Sequence, residues 1–338
     1  MSSMNTEHVL ETIDYHTGGE PFRIITGGVE RLPGRTILEK RRNAAEHHDH
    51  LRKLLIYEPR GHADMYGCFV TAPEDSEGDL GVVFFHNAGY STACGHGTIA
   101  LVTWAVEHGI VPATGDKIEV VVDTPSGRLH TVASYDGAKV TSVKFRNVPS
   151  FVEQKGVQVA TPRGTVALDI SFGGAFYASI DVRELGLSVA PRDLDELIAL
   201  GRHIKKEIES KQEVVHPVEP ELRDVYGVIF FEPDEGPGDL CQRNVTIFAD
   251  GEVDRSPCGS GTSARLALLD ASGELPRGAT LLHRGIVDTE FTAQVVGDKQ
   301  LGDRTAVITE VEGSAFYTGR HEFTLDPRDP VGTGFLLR

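Results

Sequence analysis

Two cysteines stand directly before glycine-rich turns. Cys94 opens "CGHGTIALVTWAVEHGIVP" (94–112), and Cys258 opens "CGSGTSARLALLDASGELP" (258–276). The two stretches are identical at seven of nineteen positions and lie 164 residues apart, close to half the chain. In each, Cys-Gly-x-Gly-Thr leads into an apolar run of helical length. Phe84 and Phe248 both stand ten residues before their cysteines, inside β-like runs. A strand–loop–cysteine–helix unit repeated at a fixed offset marks two related halves. If those halves pack as pseudo-twofold mates, each presents one cysteine to the other.

Glycines after the cysteine let the backbone come close to a ligand, and the free amides and dipole of a helix start attract negative charge. A thiol placed there is expected to ionise below its ordinary pKa of about 8.5. The same amides suit a substrate carboxylate. A sulfur on each side of an α-carbon suits proton exchange: one thiolate removes the α-proton and the opposite thiol returns one. Amides aimed at the carboxylate would stabilise the charge that develops. No metal and no organic cofactor is needed for this chemistry. Asp254, four residues before Cys258, and His96, two after Cys94, are placed to meet a substrate amine.

Other readings compete. A lone cysteine before a helix can be a small packed hydrophobe, but that leaves the repeat unexplained. Zinc or a redox dithiol would ask for CxxC or CxxH spacing, which the chain lacks. A Cys–His hydrolase leaves the second cysteine without a task. A cleft that captures a small acid without turning it over is the non-enzymatic alternative. Cys68 and Cys241 lack the glycine–helix setting and read as incidental. With only four cysteines in the chain, a disulfide framework is not expected, and a reducing compartment is.

The elements that must position these residues are many short strands and few helices. Strand-like runs include 22–28, 68–73, 80–89, 117–127, 140–151 and 164–181 in the first part, then 225–233 and 243–253, followed by "IVDTEFTAQVVG" and "RTAVITEVEGSAFYTG". Helices are expected at 97–108, 261–271, 41–54 and 191–210, the last opened by Pro191 and a nearby aspartate. Strand-rich runs with helices interspersed suggest α+β rather than a doubly wound sheet. A length of 338 residues, with 40% hydrophobic residues, 37 Gly and 17 Pro, fits two globular domains rich in turns. The expected division is 1–135 with Cys94 and 136–319 with Cys258, the last strand (about 320–338) returning to the first half. A net charge of −17 argues against nucleic acid. The basic, His-containing run 39–55 reads as a solvated helix face. No apolar run approaches a membrane span, and the N-terminal stretch carries no secretory signature, so a cytoplasmic location is expected. A homodimer is left open.

The motifs "CGHGTIA" (94–100) and "DRSPCGSGTSA" (254–264), with "DYHTGGEPFRII" (14–25) and "EPRGHADMYG" (58–67), together resemble the proline racemase superfamily. The resemblance runs in order from Asp14 to Ala264. It implies two similar α/β halves of mixed, largely antiparallel sheet around central helices, with a cofactor-independent site in the cleft between them. Carried over, Cys94 and Cys258 are the acid–base pair. Gly95, His96, Asp254, Gly259 and Ser260 hold the carboxylate and amine of a proline-type substrate, and Tyr66 and Phe248 form aromatic walls beside its ring. Ser260 replaces the more usual Thr of the family. Racemases and 2-epimerases keep both cysteines, whereas trans-3-hydroxy-L-proline dehydratases carry Thr at the second. Cys258 therefore points to racemisation or 2-epimerisation of proline or 4-hydroxyproline. "HTGGEPFRII", "EPRGHADMYG" and "VYGVIFF" are instead similar to the dehydratase branch, so that lyase is the alternative.

Overall fold

A computed structural model describes residues 9–337. Residues 1–8, on which the reading of the N-terminus bears, lie outside that range. In the first half, β1 (Val9–Thr17) and β2 (Glu20–Gly27) are followed by α1 (Ile37–His47) and α2 (Asp49–Ile56). β3 (Tyr66–Thr71), β4 (Leu80–His86) and β5 (Gly89–Tyr90) lead to α3 (Gly95–Glu107), then to β6 (Lys117–Thr124), β7 (Gly127–Tyr135) and β8 (Val140–Arg146). The second half repeats the plan. β9 (Phe151–Thr161), β10 (Gly164–Phe172) and β11 (Phe176–Asp181) precede α4 (Leu194–Lys211). β12 (Val225–Pro233), β13 (Leu240–Phe248) and β14 (Glu252–Asp254) lead to α5 (Gly259–Ser272). β15 (Leu281–Arg284), β16 (Glu290–Leu301), β17 (Arg304–Gly313) and β18 (Ala315–Thr324) complete it.

The pairing pattern explains why each cysteine helix lies where it does. β4 and β6 run parallel, as do β13 and β15, so a crossover must join each pair, and α3 and α5 are those crossovers. β2∥β3 and β11∥β12 likewise enclose α1–α2 and α4. The remaining neighbours are antiparallel. α3 is buried from Gly95 through Val106 and α5 from Gly259 through Leu269. A helix without a polar face is stable only inside a core, and both are wrapped by strands of their own half. The fold is α+β. Among the described residues no helix is long and apolar enough to cross a membrane.

Two strands are exchanged. After β8 the chain crosses over, and β9 pairs with β10 of the second half. After β17 it crosses back, and β18 pairs with β1. β8 and β17 pair antiparallel with Arg146 opposite Glu310, themselves 164 residues apart, so the pseudo-twofold axis passes between them. β8 belongs with β7, so the crossover falls between Arg146 and Phe151, later than a division at residue 135.

Local chemistry shifts some helix bounds from the expected ones. The helix expected at 41–54 starts at Ile37, because Thr36 and Glu39 form a capping box: the Glu39 amide donates to Thr36 Oγ1 at 3.1 Å. It breaks at His48 (φ −121, ψ 9) into two helices. Nor is the basic run all solvated. Lys40 and Arg52 are buried, and Arg52 Nη1 donates to the His86 carbonyl at 2.7 Å. Pro191–Asp193 is a 3₁₀ turn before α4 proper.

Candidate active site

The N-termini of α3 and α5 meet backbone to backbone. A Cβ on Gly95 would lie 2.5 Å from Gly259 Cα, and one on Gly259 would lie 2.8 Å from Gly95 Cα. Glycine is therefore required at both positions for the two helix mouths to touch. Cys94 is the N-cap of α3, extended at φ −154, and its Sγ accepts the Gly97 amide at 3.2 Å. Cys258 caps α5 at φ +62, a left-handed conformation that costs a non-glycine residue about 1–3 kcal/mol. Its amide donates to Ser256 Oγ at 3.1 Å, and Ser256 is fixed by donating from its amide (2.9 Å) and hydroxyl (2.6 Å) to Asp254. The left-handed turn thus turns Cys258 towards the partner half.

One crevice between the halves collects all nine residues singled out from sequence. Cys94, Gly95 and His96 line it from α3, and Asp254, Cys258, Gly259 and Ser260 from the loop into α5. Tyr66 on β3 and Phe248 on β13 add aromatic wall. Tyr177, Tyr226, Thr246 and Ala93 complete the lining. The cavity volume is about 10 Å³, room for roughly one water, so this form is closed over the sulfurs. A larger cavity of about 670 Å³ by Ile25, Phe69 and Trp104 shares no lining residue with the crevice.

Cys94 Sγ lies 3.3 Å from His96 Nε2, and His96 Nδ1 lies 3.7 Å from Asp254 Oδ2. The pair joins the two halves across the crevice. Burial opposes ionisation of Asp254, but His96 and the Ser256 bonds outweigh it and hold the carboxyl below its ordinary range. The "HTGGEP" segment clamps both mouths: Thr17 Oγ1 donates to the His96 carbonyl at 2.9 Å, and Glu20 accepts the Arg255 amide at 2.8 Å.

The expected lowering of the thiols is not found. Burial pushes Cys94 well up, with the Gly97 amide opposing and the Asp254 and Glu20 charges adding to it; burial and Asp254 push Cys258 up too. Desolvation in the closed crevice exceeds what one helix mouth supplies. A cysteine base must first lose its proton, and below a raised pKa the thiolate fraction grows about tenfold per pH unit. The kcat/KM profile is therefore expected to climb from pH 7 to 9; a flat profile there would contradict a cysteine base.

Three tyrosines crowd the site. Tyr66 Oη donates to Ser91 Oγ and lies 2.9 Å from Tyr226 Oη. Tyr226 stacks on Phe248 with ring centroids 5.5 Å apart, and Tyr66 meets the His96 ring edge-on at 4.9 Å. Tyr177 Oη lies 2.7 Å from Ser260 Oγ and 4.0 Å from Cys258 Sγ. Tyr177 and Tyr226 were not singled out by sequence reasoning. The only signal for Tyr226 was its place in "VYGVIFF", and for Tyr177 there was none beyond a strand pattern.

The sequence profile of the family described as proline racemase matches residues 12–336. The chain belongs to the proline racemase family. It is 48% identical over 334 residues to a trans-3-hydroxy-L-proline dehydratase of Bacillus cereus, covering 99% of this chain and 100% of the relative. A 3-hydroxyproline 2-epimerase of Burkholderia multivorans is 45% identical over 336 residues, again 99% of this chain and 100% of the relative. Among solved structures, a hydroxyproline epimerase from Agrobacterium vitis with bound trans-4-OH-L-proline superposes with a TM-score of 0.92. That structure is 33% identical, covering 99% of this chain and 97% of the other. Within the family, then, the chain is an enzyme whose relatives include both epimerases and dehydratases.

Proposed function

We propose that this proline racemase family member dehydrates trans-3-hydroxy-L-proline, with Cys94 as the base that takes the α-proton. The observation that carries the reading is full-length similarity, near one half identity, to a relative named for that reaction. The comparisons thus favour the alternative over the epimerase reading to which Cys258 pointed. The helix-mouth amides at Gly95–His96 and Gly259–Ser260 hold the carboxylate, Asp254 with His96 meets the ring amine, and Phe248 packs on the ring. The electron pair of the Cα–H bond passes first into the carboxylate as an enediolate, and then forms the Cα–C3 double bond as the C3–O bond breaks. Water leaves, and the enamine tautomerises to a ketimine. The amides offset the charge growing on the carboxylate, and Cys94 alone among the two thiols takes part in the step, which as written calls on no metal or organic cofactor.

A second reading has its own observation. Cys258 lines the same crevice as Cys94, on the mouth of the opposite helix, where a thiol can return a proton and invert the centre. The 3-hydroxyproline 2-epimerase relative makes 2-epimerisation of the same substrate class the competing outcome.

Incubation of L-proline, trans-4-hydroxyproline and trans-3-hydroxyproline in deuterium oxide, followed by NMR with reductive trapping of ketimine, separates the two. Dehydration predicts trapped product from trans-3-hydroxyproline alone. Cys258→Thr is expected to keep dehydration within about tenfold of the parent while erasing any stereoinversion. Inverted 3-hydroxyproline without ketimine overturns the dehydratase reading.

A further inference from the structure

Elimination from this substrate has a stereochemical demand that the crevice meets on one side only. In trans-3-hydroxy-L-proline the carboxylate and the hydroxyl lie on opposite faces of the ring. The α-hydrogen is on the face opposite the carboxylate, so it shares a face with the hydroxyl. Loss of water is therefore a syn elimination. Whatever protonates the departing oxygen must stand on the same side as the base, and the opposite cysteine cannot reach it.

The tyrosines divide between the two sulfurs. Tyr177 belongs to the Cys258 side: its hydroxyl lies 4.0 Å from Cys258 Sγ and is bonded to Ser260. Tyr66 belongs to the Cys94 side, and Tyr226 stands between, its ring edge-on to that of Tyr177 at 5.9 Å but its hydroxyl turned to Tyr66. The Tyr66 ring lies 4.9 Å from the ring of His96, which is 3.3 Å from Cys94 Sγ, and the Tyr66 hydroxyl is 2.9 Å from that of Tyr226. Tyr66 spends its proton on Ser91, so in the Tyr66–Tyr226 pair Tyr226 is the donor. Among the described residues the Tyr226 hydroxyl bonds only to Tyr66, and its ring stacks on Phe248 in the wall of the crevice. A substrate hydroxyl arriving there competes only with Tyr66 for the Tyr226 proton.

We propose that Tyr226 is the general acid that protonates the leaving 3-hydroxyl, held in place by the Tyr66–Ser91 hydroxyl chain. This rests on the dehydratase reading above. The Cys94 thiolate takes the α-proton reversibly, and the C–H pair passes into the carboxylate as an enediolate before it forms the Cα–C3 double bond. The C3–O pair leaves with the oxygen, which takes the Tyr226 proton and departs as water. The Tyr226 phenolate and the Cys94 thiol are then one proton transfer, through solvent, from their starting states.

The test separates α-proton removal from departure of the oxygen. Tyr226→Phe is assayed on trans-3-hydroxy-L-proline for ketimine formation and for deuterium wash-in at the α-carbon of recovered substrate. It is also assayed on the trans-3-chloro analogue, whose chloride needs no proton to leave. Ketimine formation is expected to fall about a hundredfold or more, while α-deuterium wash-in and chloride release persist near the parent rates. Loss of chloride release and wash-in in step with ketimine overturns the proposal, as does dehydration at the parent rate. If the parent enzyme itself washes in deuterium but yields no ketimine, the dehydratase reading fails first and the acid assigned here falls with it.

Discussion

Cys94→Ala is expected to eliminate turnover, with kcat/KM down at least about 10³-fold and α-deuterium wash-in reduced to background. Removing a positioned base costs about 10²–10⁴-fold, and nothing nearby can take its place. His96 touches the same sulfur and Asp254 (3.7 Å from His96) is committed to Ser256. Cys258 lies on the opposite helix mouth. Cys94→Ser tests the ionisation argument separately. A hydroxyl at the same N-cap accepts the Gly97 amide as well as the sulfur does, so the helix stays capped, yet its proton is far harder to remove. Substantial activity in Cys94→Ser with a normal melting curve would mean that another group abstracts the proton.

Gly95→Ala is expected to damage both stability and turnover, although it alters no reacting atom. The added methyl would sit 2.5 Å from Gly259 Cα and 2.9 Å from its carbonyl carbon, both backbone atoms that cannot swing aside. Overpacking of this kind costs typically about 1–3 kcal/mol, so Tm should fall by several degrees. Relief comes only by parting the two helix mouths, which moves Cys94 and Cys258 away from each other. A misplacement near 1 Å costs about 10²-fold in rate. A melt together with kcat/KM checks both effects; unchanged values in both would show that the mouths do not need to touch.

The sequence carried the cysteine helices and the crevice around them because each feature is local and repeated. A Cys-Gly-x-Gly-Thr stretch beside an apolar run can be seen twice, and both glycines after each cysteine have a packing reason that a ligand argument had only partly supplied. Two of the three tyrosines were a different matter. Tyr66 came with a family motif, but Tyr177 and Tyr226 lie on β11 and β12, outside the four motifs that carried the family resemblance. A strand position pointing into a crevice looks the same, in one sequence, as one pointing into a core. The thiol ionisation was misjudged for a related reason: a helix mouth is visible in a motif, but the depth at which it is buried is a property of the whole fold. The break at His48 and the earlier start at Ile37 come from capping, for which "TILE" held a readable cue.

The exchange of β9 and β18 bears on what this chain descends from. Each half lends the other the strand that flanks its first hairpin, so neither repeat of the sequence, 9–161 or 164–324, contains a complete sheet of its own. A half-length ancestor with the same plan would have had an orphaned edge, and the partner able to cover it was a second copy of itself, reached by the same swap. The present single chain then reads as a swapped dimer fused head to tail, with the Arg146–Glu310 pair marking where its symmetry axis ran. Fusion freed the two copies to diverge, and the site shows it: Cys94 sits in relaxed extended backbone over His96, while Cys258 sits strained beside Tyr177.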